Sequence, residues 1–169
     1  MLPRRWMLLP VLMTLSVGSW KVLSDEPAKE AAPKPKKQLF RGEVVLIPEA
    51  LQQLGVKAYK DELRDQVGLL TPEKELLPIL PDWRGRAFFQ DERLRDRKVE
   101  LVGYRKPGLP YLQVLSIYTF DEAGARQFTD YWCDICSIPM YEIKPCDCCQ
   151  QPIRLRFQPR DLPKEIEDK

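Results

Sequence analysis

Between residues 40 and 120, apolar positions recur in short runs that proline, glycine or charged turns interrupt every few residues. "EVVLI" (43–47) is β-branched and apolar, the pattern of a strand. It meets "PEALQQLG", where Pro48 can open a helical turn and Gly55 can close it. "VGLL" (67–70) and "LLPIL" (76–80) flank the polar "TPEKE", a turn of hairpin length. In "RGRAFFQDERLRDR", Ala87, Phe88, Asp91 and Leu94 are spaced so that one side of a helix can face a core. Two strong strands follow, "KVELVGYR" (98–105) and "YLQVLSIYTF" (111–120), joined by "KPGLP". The second has a period of two. Leu112, Val114, Ser116, Tyr118 and Phe120 fall on one side, and Tyr111, Gln113, Leu115, Ile117 and Thr119 on the other. Both sides carry bulk, so both faces are expected to be covered.

Three strands, a helix and two strands is the element order of an OB-fold, a five-stranded barrel with its helix between the third and fourth strands. The stretch "LRDRKVELVGYRKPGLPYLQVLSIYTF" looks like the last two strands of bacterial OB-folds, with Gly103 near a bend. The resemblance lies in pattern and in no signature residue. It implies a mainly β fold: a small five-stranded OB-fold-like barrel over 40–130 with one or two short helices. A different small barrel or a five-stranded open sheet is the alternative. Sixteen prolines against eight glycines favour many short elements in either case.

Ahead of this body, Arg4 and Arg5 precede an apolar run from Trp6 to Trp20 that contains no acidic residue. Fifteen helical residues span about 22 Å, short of a ~30 Å hydrocarbon core. Residues 1–24 therefore read as an export signal, with an uncleaved amino-terminal anchor as the alternative. No cysteine follows the run, which argues against a lipid anchor. "DEPAKEAAPKPKKQ" (25–38) offers nothing to bury and reads as an extended spacer reaching to about residue 39. Without residues 1–24 the balance is 24 basic against 25 acidic side chains. A near-neutral exported domain is poorly suited to nucleic acid, and membrane contact is expected only through an uncleaved amino terminus.

All five cysteines lie in two short phrases, "CDICSIPM" from Cys133 and "CDCCQQPI" from Cys146, displaced by thirteen residues. Cys133 with Cys136, and Cys146 with Cys149, form two C-x-x-C pairs. Two such turns can aim four thiolates at one ion, the tetrahedral arrangement that zinc prefers. The phrases resemble the two knuckles of a zinc ribbon, although neither has the usual glycine after its second cysteine. The resemblance implies a small four-cysteine unit over 131–158 with Cys133, Cys136, Cys146 and Cys149 as ligands, and a flexible tail over 159–169. Cys148 is a possible substitute ligand, a neighbour of the site or a free reactive thiol. Asp134 and Asp147 read as solvated turn residues. Few large apolar residues accompany the unit beyond Tyr131, Trp132, Ile138, Met140 and Ile143, so it is expected to depend on its metal. Disulfides, which an oxidising compartment favours, and iron or copper on thiolates remain alternatives to zinc. Four-cysteine iron would give an electron carrier of rubredoxin type.

Histidine is absent, and so are a phosphate-binding glycine loop and the common serine-nucleophile motifs. No enzymatic activity is therefore expected. "DWRGRAFFQDER" (82–93) mixes arginines with aromatics and could line a groove, but its plainer reading is a helix that packs Phe88 or Phe89 inward. The whole arrangement looks like uncharacterised exported bacterial proteins. It implies a periplasmic or extracellular binding or assembly protein whose partner is another protein or envelope component. The alternative is a redox or electron-transfer protein using the same cysteines.

Overall fold

The computed structural model describes residues 35–167. The leader expected over 1–24 and the first ten residues of the spacer lie outside the described residues. Eight strands are described: β1 (Gln38–Leu46), β2 (Val67–Leu70), β3 (Leu76–Pro78), β4 (Lys98–Arg105), β5 (Leu112–Phe120), β6 (Arg126–Cys133), β7 (Ile138–Met140) and β8 (Arg154–Pro159). Four short helices accompany them: α1 (Ile47–Gln53), α2 (Lys60–Leu63), α3 (Arg86–Gln90) and α4 (Lys164–Glu167). Helix α1 has Pro48 in its first turn, and Gly55 follows it at a φ of 74°, a left-handed position that glycine adopts without strain.

The strands form one antiparallel sheet in the order β3-β2-β1-β4-β5-β6-β7, with β8 also paired to β6. The first five strands overlap the runs that the sequence pattern marks, and α3 lies between β3 and β4. Strand β1 starts earlier than expected, however, so Gln38 and Leu39 pair with β4 in the sheet and are not part of an unpacked spacer, while Ile47 belongs to α1 and β3 stops at Pro78. The expected closed barrel does not form: the sheet is open. Closure would need β3 to pair along the free edge of β5. A single parallel bridge joins Ile79 to Leu112, supported by the Leu80 N–H donating to the Leu112 carbonyl at 2.9 Å. The ladder cannot extend, because residues 117–120 of that edge are already paired with β6. Strand β3 is also only three residues long and ends at Pro78, which has no N–H to donate.

Strand β6 binds the sheet together. Its residues 126–129 pair with β5 and its residues 131–133 with β7, while β8 runs along residues 127–132. Since Gln127, Phe128 and Thr129 pair with both β5 and β8, those two strands lie on opposite edges of β6. The cysteine-rich stretch is thus woven into the sheet. Tyr131 and Met140 belong to the same buried core as Leu69, Phe88, Leu101 and Leu112, with Ile138, Ile153 and Leu155 packed against it.

The period-two reading of β5 fails at one residue. Val102 pairs with Ser116 but Gly103 pairs with Val114, so Leu115 is bulged out of register. The bulge turns Ile117 onto the same side as Leu112 and Val114, and all three join the main core. Tyr118 faces the other side, where a second cluster forms with Val102 and Phe128. Leu162 and Ile166 cover that cluster, both of them buried. The unpacked tail expected over 159–169 therefore does not hold for these two residues, because the second face of the sheet needs an apolar lid. On the same face Glu100 is buried and receives Arg41 at 2.9 Å and Arg126 at 2.6 Å.

Gly103 lets the bulge sit close. A Cβ there would stand 2.4 Å from the Gln113 carbonyl oxygen, well inside contact distance. Gly103→Ala is expected to destabilise the fold by about 1–3 kcal/mol, the usual cost of overpacking. Urea unfolding followed by tryptophan fluorescence would measure it, and a midpoint equal to wild type would exclude the crowding.

Candidate metal centre

The two cysteine phrases adopt the same backbone form. Strand β6 ends at Cys133, and the Ser137 N–H donates back to the Cys133 carbonyl at 2.9 Å before β7 begins. In the second phrase the Gln150 N–H donates to the Cys146 carbonyl, also at 2.9 Å. Ser137 and Gln150 both stand in the left-handed region, at φ 54° and 59°. They occupy the position where the sequence lacks the usual knuckle glycine. The thirteen-residue repeat is therefore a repeat of conformation, with ordinary residues accepting the strain that glycine would avoid.

The two turns face each other. The sulfurs of Cys133, Cys136, Cys146 and Cys149 all lie within 4.8 Å of one another, and the Cys133 and Cys149 sulfurs are 3.5 Å apart. Four sulfurs bound at about 2.3 Å to one tetrahedral ion would stand about 3.8 Å apart, so the group fits a single metal ion. Cys133 and Cys146 are buried, while Cys136 and Cys149 are partly exposed. The cysteines expected as ligands are the ones brought together. Cys148 is exposed and outside the group.

Electrostatics sharpen the fit. The Cys136 N–H reaches the Cys133 sulfur at 3.4 Å and favours its thiolate, but burial and the facing Cys149 and Cys146 sulfurs push the Cys133 thiol above its usual range. The Cys148 and Cys149 sulfurs, followed by burial, push Cys136 up as well. At Cys146 the backbone N–H groups of Cys149 and Cys148 prevail and pull the thiol down to about 7. The turns thus aim N–H dipoles at sulfur, while the crowded sulfurs resist ionising together. A cation among them removes that resistance.

Neither turn aspartate belongs to the sulfur group. Asp134 receives a two-pronged ion pair from Arg154 at 2.8 and 2.9 Å, which holds its carboxyl below the usual range. Asp147 pairs with Lys144 at 3.0 Å.

Long-range contacts that local sequence patterns do not reveal hold the knuckles in place. The link between the two phrases docks on the segment around α3. The guanidinium of Arg84 lies 3.7 Å from the Tyr141 ring centroid and donates to the carbonyl of Leu115, the bulged residue. Trp83 meets Tyr141 edge-on at 5.0 Å. Arg86 pairs with buried Glu142 at 2.9 Å, and the Ile143 N–H donates to the Gln90 side chain at 3.0 Å. The arginine–aromatic stretch therefore does two jobs: Phe88 enters the core, as expected, and its neighbours clamp the cysteine loop. Beneath the first knuckle, buried Asp91 accepts from the Tyr131 hydroxyl at 2.7 Å and from Arg93 at 2.7 and 2.8 Å. Burial works to raise the Asp91 carboxyl, but the Arg93 and Tyr131 hydrogen bonds outweigh it and hold it below the ordinary carboxylate range. On the opposite face of β6, Arg156 pairs with buried Asp130 and stacks 3.5 Å from the Trp132 ring centroid.

Asp91→Ala leaves the Tyr131 hydroxyl buried without its acceptor and is expected to cost about 2–3 kcal/mol. The pH dependence has a definite sign. With its folded pKa below the unfolded value, Asp91 contributes stability above about pH 5 and loses it as pH falls through the folded pKa, below about pH 4. Urea midpoints measured from pH 7 to pH 3 should fall more steeply in wild type than in Asp91→Ala, and parallel curves would remove Asp91 from the acid response.

No protein-family model, no curated protein and no solved structure matches the chain, so the chemistry of this centre rests on its own residues.

Proposed function

We propose that the chain is an exported, non-enzymatic binding or assembly protein of the cell envelope, and that its four-cysteine centre holds a structural zinc ion. One observation carries the metal reading: the sulfurs of Cys133, Cys136, Cys146 and Cys149 converge within 4.8 Å from two turns of the same form. Zinc suits an all-thiolate tetrahedron with no open position. The ion's place supports a structural role. It would tie the end of β6 to the turn that leads into β8, two strands already in register, and so fix the loop that docks on α3. The part of the reading that concerns export rests on the charged and apolar pattern of residues 1–24, and the binding role on the lack of any catalytic constellation in the sequence.

One observation favours a redox reading of the same centre. Cys136 and Cys149 are partly exposed, which leaves one side of the centre open to a redox partner. Iron bound there would make an electron carrier.

The metal content and visible spectrum of the purified full chain separate the two. A colourless protein with one zinc per chain is expected, a red protein with iron would establish the electron carrier instead, and metal-free protein with paired cysteines would end both readings. Removing zinc with a chelator, or replacing Cys136 by Ser, should abolish hydrogen-exchange protection at residues 134–137 and 146–151. The β6 and β8 amides should stay protected, because those strands are paired with each other and with the rest of the sheet. Global loss of protection on chelation would show that the sheet itself depends on the metal.

A further inference from the structure

The connection from β4 to β5 differs from the two other tight hairpins of the sheet. Those at 71–75 and 121–125 read "TPEKE" and "DEAGA" and carry no large apolar residue. The β4–β5 connection reads "KPGLPY", and every residue from Arg105 to Tyr111 is exposed. The Leu109 N–H closes the turn on the Lys106 carbonyl at 3.2 Å. A Cβ at Gly108 would meet nothing within 4 Å, so the tip stands in open space. Leu109 is 52% exposed and Tyr111 37%, a leucine and a tyrosine held out by one turn. Pro107 and Pro110 have no N–H, and that of Leu109 is already bonded. The tip therefore has few backbone donors that would resist leaving water.

Cations gather at the same end of the sheet. Strand β1 runs antiparallel to β4 with Gln38 opposite Gly103, so Lys36 and Lys37, just ahead of β1, lie at the end from which the tip projects. Gln38 and Arg105 border the tip directly. Arg105 pairs with Glu75 at 2.8 Å and Lys37 with Glu165 at 3.3 Å. Lys36 and Lys106 are exposed and have no carboxylate partner among the described residues. This end is thus net positive around an apolar point. From here the chain leads back, in sequence, to the apolar run that ends at Trp20, sixteen residues before Lys36.

We propose that the β4–β5 tip is a contact site for an anionic phospholipid bilayer, with Leu109 and Tyr111 entering the headgroup layer and Lys36 and Lys106 lying against lipid phosphates. Tyrosine suits that layer because its ring is apolar and its hydroxyl is wet, and ammonium groups beside it gain from anionic lipid. One turn is too small for a stable protein interface, which buries about 800 Å² on each partner. A bilayer contact can be this small when a second apolar segment of the same chain shares the anchoring. The inference rests on the envelope location in the proposed function and is independent of the metal.

The test uses the full chain reconstituted with vesicles of mixed phosphatidylcholine and phosphatidylglycerol that carry a photoreactive diazirine lipid. After irradiation, lipid adducts are located by fragmentation mass spectrometry. Adducts are expected within 106–111 as well as within 6–20, but not at Tyr59 or Ile135, although both are more exposed than Leu109. Lys106→Glu combined with Leu109→Ser should lower the adducts at 106–111 about tenfold while leaving the urea midpoint unchanged. If that variant fails to fold, wild type on phosphatidylcholine alone still decides, because removing the anionic lipid should lower the same adducts. Adducts confined to 6–20, or found equally at Tyr59 and Ile135, would overturn the proposal and leave the envelope location standing. Tip adducts indifferent to phosphatidylglycerol would overturn it as well. Absence of adducts throughout the chain would overturn the tip contact and the reading of residues 1–24 together.

Discussion

Strand β6 must satisfy two sets of backbone partners at once, and the rest of the structure follows from that. Residues 127–129 hydrogen-bond to β5 on one edge and to β8 on the other, and residues 131–132 to β7 and β8. A strand paired on both edges over most of its length cannot shift register without breaking two ladders. Its last residue is Cys133, so the first sulfur of the four-cysteine group has the positional certainty of a central strand. The same pairing occupies the edge of β5 on which a barrel would have closed. Sheet opening and site placement are therefore two results of one constraint.

The faces of β6 show how the site is supported. On one side Tyr131 enters the main core and hands its hydroxyl to Asp91, which Arg93 also holds. On the other, Asp130 is buried against Arg156, and that guanidinium lies over Trp132. Buried polar groups are costly unless paired, and here each has a partner of opposite charge or a hydroxyl. No buried side-chain polar atom among the described residues is left without a hydrogen bond. The centre thus rests on a rigid, fully satisfied base, and the less constrained parts are the turns themselves.

The loop that joins the knuckles adds a second support. Tyr141, Glu142 and Ile143 are gripped from the α3 region by Arg84, Arg86 and Gln90. Arg84 also satisfies the carbonyl that the Leu115 bulge leaves unpaired in the ladder. A defect in β5 and the position of the cysteine loop are consequently linked through one guanidinium, whose planar shape lets it stack on a ring and donate in its own plane at the same time.

The sequence by itself determined whatever depends on nearest neighbours. The boundaries of β2 and β4, the Pro48 opening and Gly55 exit of α1, and the burial of Phe88 follow from local periodicity and turn chemistry. The four-cysteine group is legible for the same reason, since a C-x-x-C turn brings its own two sulfurs together and the phrase is written twice. Tertiary structure decided what depends on distant partners. "RQFTDYWC" carries no mark saying whether its strand belongs to a separate metal unit or to the main sheet, and β5 and β8 decide for the sheet. The one-residue bulge at Leu115, which moves Ile117 into the main core, is invisible to a strict period of two. Leu162 and Ile166 look like isolated apolar residues in a polar tail until Val102, Tyr118 and Phe128 give them a surface to cover. Local pattern sets which residues can turn, extend or chelate; which edge they pair with is settled by burial and hydrogen bonding across long sequence separations, and no short window of the chain contains that information.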